Sequence, residues 1–383
     1  MKIVTVDVVI LGAGINGCSA AYWLQKRGKS VLVLSKDVDG IATPAAGGML
    51  TPSAEAESSE QVLLEFAKKN CAFYPEFIRM LESESQRSCE LNMNGTLMPA
   101  LNNDDRVRLE HLAERQEQLG VDTTWLSKKE CRDFEPCLSP KVLGGLWAPN
   151  DHSINPKLLL ESFKIAAMNH GAHFMTVFKD PKLEISDNQV VGLNCVLYGL
   201  PTRVLARHVV VATGSWCNRF LPRDSQLPLR AVKGQYLELS GCSLIQRVIR
   251  TPGAYLVPRG NGTIYVGATS EEKGFDNATL AGPLFELFGQ AWRLVPGVYE
   301  SRIKLTSAGL RPALRDNLPA IGPTDVNGLS VMTGHYRHGI MLAPLSGLMM
   351  AKLIEGDDGG PFADVFSPLR FKKDQAHELT RAS

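Results

Sequence analysis

The chain has 383 residues, 44% of them hydrophobic and 21% charged, a composition that excludes a disordered or fibrous protein and gives room for a large core in about two domains. Forty-one basic against forty acidic side chains leave a net charge of +1, which removes the electrostatic reason to expect nucleic acid or an anionic membrane surface as a partner. The eight cysteines show no Cys-x-x-Cys pair and no zinc-ligand spacing, so reduced thiols, no metal site and a cytoplasmic location are expected.

Residues 3–11 (IVTVDVVIL) form a β-branched apolar run, residues 15–28 (INGCSAAYWLQKRG) read as a helix ending at Gly28, and Ser30–Leu34 form a second apolar run. Lys2 followed by an apolar stretch resembles a signal peptide, but the glycines explain it better. Gly12, Gly14 and Gly17 give Gly-x-Gly-x-x-Gly at the strand-to-helix junction. They permit a tight turn, close approach of backbone to a pyrophosphate and close packing of helix on strand. Ile15 and Asn16 open the helix whose N-terminus faces the phosphates. The alternative is a purely structural glycine turn; the strand before it and the helix after it favour a dinucleotide.

The acidic residue expected about 20 positions on is replaced by Ser35, followed by Lys36 and Asp37. Either Asp37 reaches back to the ribose, or affinity falls, or Lys36 assists at ribose or phosphate. The fingerprint by itself does not separate FAD from NAD.

Residues 54–85 carry apolar side chains at helical spacing and predict one long helix bent near Pro75. Exposed helices are expected over 106–120 and 127–134. A break in pattern follows around Gly144, Gly145 and Pro149, then a helix from Pro156 to about His170 capped by Asn155. Short alternating runs over 172–210 end in a buried strand at Val209–Ala212, and QYLELS, AYLVPR and TIYVGAT predict an antiparallel sheet within 229–268. LSVMTG reads as another buried strand, and a closing helix is expected from about Pro344 to Glu355. The apolar stretch Gly339–Ile354 contains Pro344 and Lys352 and falls short of the about 20 residues a membrane span requires, so no transmembrane helix is expected.

Four further segments, ATPAAGGMLTPSAE (42–55), VVVATGSW (209–216), GLRPALRDNLPAIGP (309–323) and GHYRHGIMLAPLSG (334–347), occur in an order that resembles the D-amino acid oxidase superfamily. Within it, the GML, Tyr-x-Val-Pro-Arg, GLRP and GHYRxGI elements resemble the FAD-dependent glycine oxidase family of thiamine biosynthesis over nearly the whole chain. The resemblance implies an α/β protein. A Rossmann-type FAD-binding domain would be made of 1–86, 149–226 and 303–383, and an α+β substrate domain of 87–148 and 227–302, built on a mainly antiparallel sheet.

The same resemblance places Thr43 near the pyrophosphate, and Ala46, Gly47, Gly48 and Met49 near the isoalloxazine, with Met49 also expected to contact the substrate. Gly214 lies on a loop approaching the cofactor, and Gly339, Ile340 and Met341 at the pyrimidine end. Arg311 matches the carboxylate-binding arginine, Tyr255 the active-site tyrosine, and Arg337 an arginine near flavin and substrate. A guanidinium suits a carboxylate because its two parallel donors fix position and rotation together. Gly253 and Ser270 stand where the family often has histidine and methionine, which would admit sarcosine, N-alkyl glycines or small D-amino acids beside glycine. The superfamily's covalent flavin link uses a cysteine near PALRDNLPAIG; this chain has none after Cys242, so noncovalent FAD is expected.

The expected reaction is hydride transfer from the substrate α-carbon to FAD without an obligatory acid or base from the protein. Molecular oxygen would be reduced to hydrogen peroxide, and the imine would be hydrolysed or passed to thiazole synthesis. A homo-oligomer is left open. Competing readings are a dehydrogenase with a non-oxygen acceptor, a non-catalytic nucleotide-binding protein and an NAD-dependent dehydrogenase.

Overall fold

A computed structural model of the protein describes residues 2–53, 61–241 and 245–372. The chain opens with β1 (Lys2–Leu11), α1 (Ile15–Lys26) and β2 (Val31–Ser35), as the apolar runs predict. β3 (Met49–Leu50) precedes α2 (Gln61–Ser85), which runs through Pro75; residues 54–60 of the expected helix lie outside the described residues. Next come β4 (Thr96–Ala100), α3 (Asn103–Gln118), β5 (Thr124–Ser127) and α4 (Lys128–Phe134).

The glycines at 144 and 145 do not break the chain's pattern but begin β6 (Gly144–Ala148). The sheet requires a small residue there, since a Cβ on Gly145 would lie 2.9 Å from the Met98 carbonyl oxygen of β4. β7 (His152–Ser153) leads into α5 (Pro156–Asn169), where the Asn155 side chain accepts from the Lys157 amide at 3.1 Å as the expected cap. β8 (His173–Thr176), β9 (Lys182–Ser186), β10 (Gln189–Leu197) and β11 (Leu200–Val211) follow, then β12 (Leu229–Ser240), β13 (Val248–Arg250), β14 (Tyr255–Pro258) and β15 (Ile264–Gly267). The chain continues with α6 (Ala281–Leu294), β16 (Arg302–Leu314), β17 (Ala320–Pro323), β18 (Leu329–Thr333), α7 (Gly339–Glu355) and α8 (Ala363–Phe366).

Two eight-stranded sheets organise these elements. The first has the order β17-β18-β11-β1-β2-β8, with β10 attached to β11 and β9 to β10; its centre, from β18 to β8, is parallel. Val8 and Ile10 of β1 enter one apolar cluster with α1, α2, α5 and α7, while Val9 and Leu11 enter another on the opposite face. Burial on both faces explains why β1 is continuously apolar. The second sheet has the order β16-β12-β15-β14-β13-β4-β6-β5 and is antiparallel except where β13 meets β4. Its outer face packs Leu237, Leu239, Leu256 and Val266 against Leu287, Ala291 and Leu294 of α6.

Segment 303–314, expected in the first domain, belongs to the second sheet, because β16 hydrogen-bonds along the length of β12. The closing helix begins at Gly339, five positions before Pro344. Proline removes the N–H that would serve the Ile340 carbonyl four residues back, and the buried Tyr74 hydroxyl donates to that carbonyl instead. Among the described residues, no helix is long and apolar enough to cross a membrane.

Candidate active site

The carboxyl ends of β1, β2, β8, β11 and β18 border a cavity of about 590 Å³, roofed by the inner face of the second sheet. Gly12 has φ +107°, and a Cβ there would lie 2.4 Å from the Ala212 carbonyl oxygen. A Cβ on Gly17 would lie 2.0 Å from the Gly12 carbonyl oxygen, so this glycine lets α1 pack on β1 and does not itself line the cavity. Gly14 differs: the nearest atom its Cβ would meet is Thr43 Oγ1 at 3.5 Å, which leaves its backbone open toward the cavity. Thr43 Oγ1 accepts from the Ile15 amide at 3.1 Å. Beside it, the buried Oδ1 of Asn16 has no hydrogen-bond partner. An open glycine, a helix N-terminus and an unsatisfied buried amide oxygen fit a dinucleotide pyrophosphate and its neighbouring hydroxyls.

At the other end of this groove Ser35, Lys36 and Asp37 all line the cavity, with Ser35 in register with Thr176 of β8. Lys36 Nζ lies 3.0 Å from Asp180 Oδ1. The lysine expected to assist at ribose or phosphate is therefore engaged by a carboxylate across the rim. Asp37 and Asp180 are the carboxylates that line this end of the cavity.

The segment from Ile41 to Met49, including Ala46, Gly47 and Gly48, forms the wall where the two sheets meet. Its path is fixed from the second sheet. The Leu310 amide donates to the Gly40 carbonyl at 2.8 Å, the Tyr265 hydroxyl to that of Ala45 at 2.8 Å, and Arg259 to those of Gly47 at 2.8 Å and Ile154 at 3.0 Å. Gly214, Gly339 and Ile340 also line the cavity, and Thr333 Oγ1 donates to the Gly214 carbonyl at 2.9 Å. Met341 does not: its side chain is buried in the apolar cluster around α1 and α7.

On the roof, β16 and β12 pair Arg311 with Val232 and bring the guanidinium over Gly234. Arg311 Nη1 donates to the carbonyls of Thr269 at 3.0 Å and Lys233 at 3.3 Å, which fixes the side chain's orientation. Lys233 itself is fully buried and reaches Asp276 at 3.0 Å on the opposite side of the strand, anchoring the loop after Thr269. Tyr255 stacks on Tyr265 with centroids 5.9 Å apart, and Tyr265 stacks on Tyr236 at 4.8 Å. Two glycines leave room for the Tyr255 ring, since Cβ atoms on Gly47 and Gly267 would lie 2.6 Å and 2.9 Å from its atoms.

Gly253 and Ser270 lie in the same wall, with Gln290 behind Gly253. Arg337 sits exposed at the rim over the Tyr336 ring, 4.9 Å from its centroid. His335 is buried at the lining, with Nε2 3.2 Å from Ser346 Oγ. Burial, aided by the neighbouring His338, pushes its pKa down to about 3, so the ring is neutral and a poor base.

The cavity thus joins Gly12, Gly14, Ile15, Asn16, Ser35, Lys36, Thr43, Ala46 to Met49, Gly214, Gly339 and Ile340 to Arg311, Tyr255 and Arg337. Sequence reasoning misses Gly234, Tyr265 and Arg259. A lone glycine inside an alternating strand signals close approach of some group, and Arg259 ends the Tyr-x-Val-Pro-Arg segment, but neither signal names its partner.

A groove suited to a dinucleotide at the ends of a parallel sheet is thus closed by an antiparallel sheet that presents a fixed arginine. A family model described as "DAO: FAD dependent oxidoreductase" matches residues 7–353, and the chain belongs to this family. It is 32% identical over 377 residues to the bifunctional protein ThiO/ThiG of Trichormus variabilis, an alignment that takes in 96% of this chain and 56% of that protein. The chain thus spans a little over half the length of the first curated relatives it matches. It is 30% identical over 355 residues to the glycine oxidase of Geobacillus kaustophilus, covering 91% of this chain and 93% of that one. The crystal structure of glycine oxidase from Geobacillus kaustophilus superposes with a TM-score of 0.85 at 28% identity, covering 95% and 98% of the two chains.

Proposed function

We propose that this chain oxidises glycine and comparable small amines, sarcosine and small D-amino acids, at noncovalently held FAD. The products would be the imino or oxo acid, ammonia and, with molecular oxygen as acceptor, hydrogen peroxide. The observation that carries the reading is Arg311, whose guanidinium is held over Gly234 in the same cavity as the Gly12 to Asn16 cradle. Noncovalent attachment is supported by the lining, in which no described residue is a cysteine.

When bound, FAD supplies the two-electron acceptor. The chain's own part is positional. Arg311 and the Tyr255 hydroxyl hold the substrate carboxylate, and this orients the α-carbon toward the wall formed by Gly47, Gly48 and Met49. Gly12 to Asn16 and Thr43 hold the pyrophosphate, Ser35 with Asp37 the ribose, and Gly214, Gly339 and Ile340 the remaining cofactor edge. The amine reacts in its neutral form, its proton passing to water; His335, kept neutral by burial, is not required as a base.

We place the protein in the cytoplasm, with imine from glycine feeding thiazole assembly in thiamine biosynthesis. The first-sheet module would carry the cofactor and the second-sheet module the substrate; a homo-oligomer is compatible with this arrangement. Oxygen uptake by the FAD-loaded protein tests the reading. Glycine, sarcosine or D-alanine should consume oxygen with one peroxide formed for each oxo acid. Turnover seen only with an artificial acceptor would overturn the oxidase assignment in favour of a dehydrogenase.

A further inference from the structure

The cavity roof carries a cation that a simple amino acid does not require. Arg250 ends β13 and pairs in register with Tyr255 of β14, and both residues line the cavity. Directly opposed residues of an antiparallel pair project from the same face with Cβ atoms about 5 Å apart. The Arg250 side chain therefore stands beside Tyr255, one half of the proposed carboxylate clamp, and shares the cavity with Arg311, the other half. Gly253 and Ser270 line the same cavity and add little bulk to its wall. Among the described lining residues, the carboxylates are Asp37 and Asp180, both at the remote Ser35 end, and Asp180 is engaged by Lys36. Arg250 already has an interaction within the protein, so an arriving anion exchanges with that contact. A carboxylate, with two strong acceptor atoms in a plane, is suited to the exchange.

Resting on the amine-oxidation reading, we propose that the substrates of this chain include amino acids with a second carboxylate. The first carboxylate sits on Arg311 and Tyr255, and the second on Arg250. The second group can be carried on the nitrogen, as in iminodiacetate, or on the side chain, as in D-aspartate. Oxidation follows the same balance in either case: the α-carbon loses a hydride to FAD, the nitrogen loses a proton to water, and the imine is hydrolysed.

The experiment compares the FAD-loaded protein with its Arg250→Gln and Arg250→Lys variants. Turnover is measured with glycine, iminodiacetate and D-aspartate, and the dissociation constants of the unreactive anions acetate and malonate are read from the visible flavin spectrum. In Arg250→Gln, kcat/KM for at least one dicarboxylate relative to glycine should fall about ten- to hundred-fold, as expected for loss of a charge-assisted hydrogen bond. The malonate preference over acetate should fall with it, and Arg250→Lys should recover part of both. Which dicarboxylate responds identifies where the second group is carried. An unchanged ratio in Arg250→Gln, with its flavin spectrum intact, overturns the inference. If the unmodified protein oxidises glycine but neither binds nor oxidises a dicarboxylate, this inference falls and the amine-oxidase reading stands. If no amine reduces the flavin, both fall.

Discussion

Gly234 determines where Arg311 sits, because a Cβ at position 234 would lie 2.2 Å from Arg311 Nη2. Gly234→Ala displaces the guanidinium, and a shift on the order of 1 Å at a positioning group costs about a hundred-fold in rate. Steady-state kinetics with glycine should show that loss in kcat/KM while the visible flavin spectrum is retained; unchanged kinetics would mean that Arg311 does not orient the substrate. His335 makes a second prediction. Its folded pKa of about 3 lies below the ordinary value of 6.5, so its contribution to stability is complete above pH 6.5 and is lost as pH falls. The loss is about 1.4 kcal/mol per pH unit below 6.5. Stability measured by unfolding between pH 4 and 7 should fall less steeply with acid in His335→Gln than in the unmodified protein, the half-buried His152 and His208 keeping part of the dependence; identical pH profiles would contradict the assignment. Arg311 and Tyr255 are legible in the sequence through the segments that contain them. Gly234 and His335 are not, because their importance depends on which atoms the fold brings beside them.

The register of α7 illustrates the same limit for an element. Proline commonly opens a helix, so the sequence pattern predicts a start at Pro344, whereas the helix starts at Gly339. A hydroxyl distant in sequence, that of Tyr74 on α2, accounts for the difference by taking the Ile340 carbonyl. Tyr74→Phe leaves that buried acceptor without its donor and should lower stability by about 1–3 kcal/mol. Denaturant unfolding measures it, and a loss below a few tenths of a kcal/mol would show that the bond contributes little. A local capping signal is sufficient at α5, which Asn155 caps as the sequence predicts, and the structure adds a capping box of Ser127 with Glu130 at α4. β6 escaped recognition because glycines that normally interrupt a strand are here required by the close approach of β4.

Across the whole molecule, the cofactor groove and the substrate roof come from segments that alternate along the chain and face each other across one cavity. The strand, glycine turn and helix at the N-terminus and the buried strand near 330 reveal the first sheet in the sequence, since both are continuously apolar. The crossover near 303 is less legible, because Ile303 and Leu305 alternate with Arg302, Lys304 and Thr306 on a stretch of β16 that stays exposed, so the pattern marks a strand without saying which sheet it joins. On the proposed reading, this opposition of cradle and arginine oxidises a carboxylate-bearing amine. Mixing the FAD-loaded protein with glycine or sarcosine in the absence of oxygen, and following the yellow absorption of the flavin, tests that claim most directly. Bleaching is predicted for the unmodified protein and should be absent, or slowed by at least about a hundred-fold, in Arg311→Leu. A bound flavin that no amino acid bleaches, or one that bleaches equally in the variant, would show that the cradle and Arg311 do not form an amine-oxidising site.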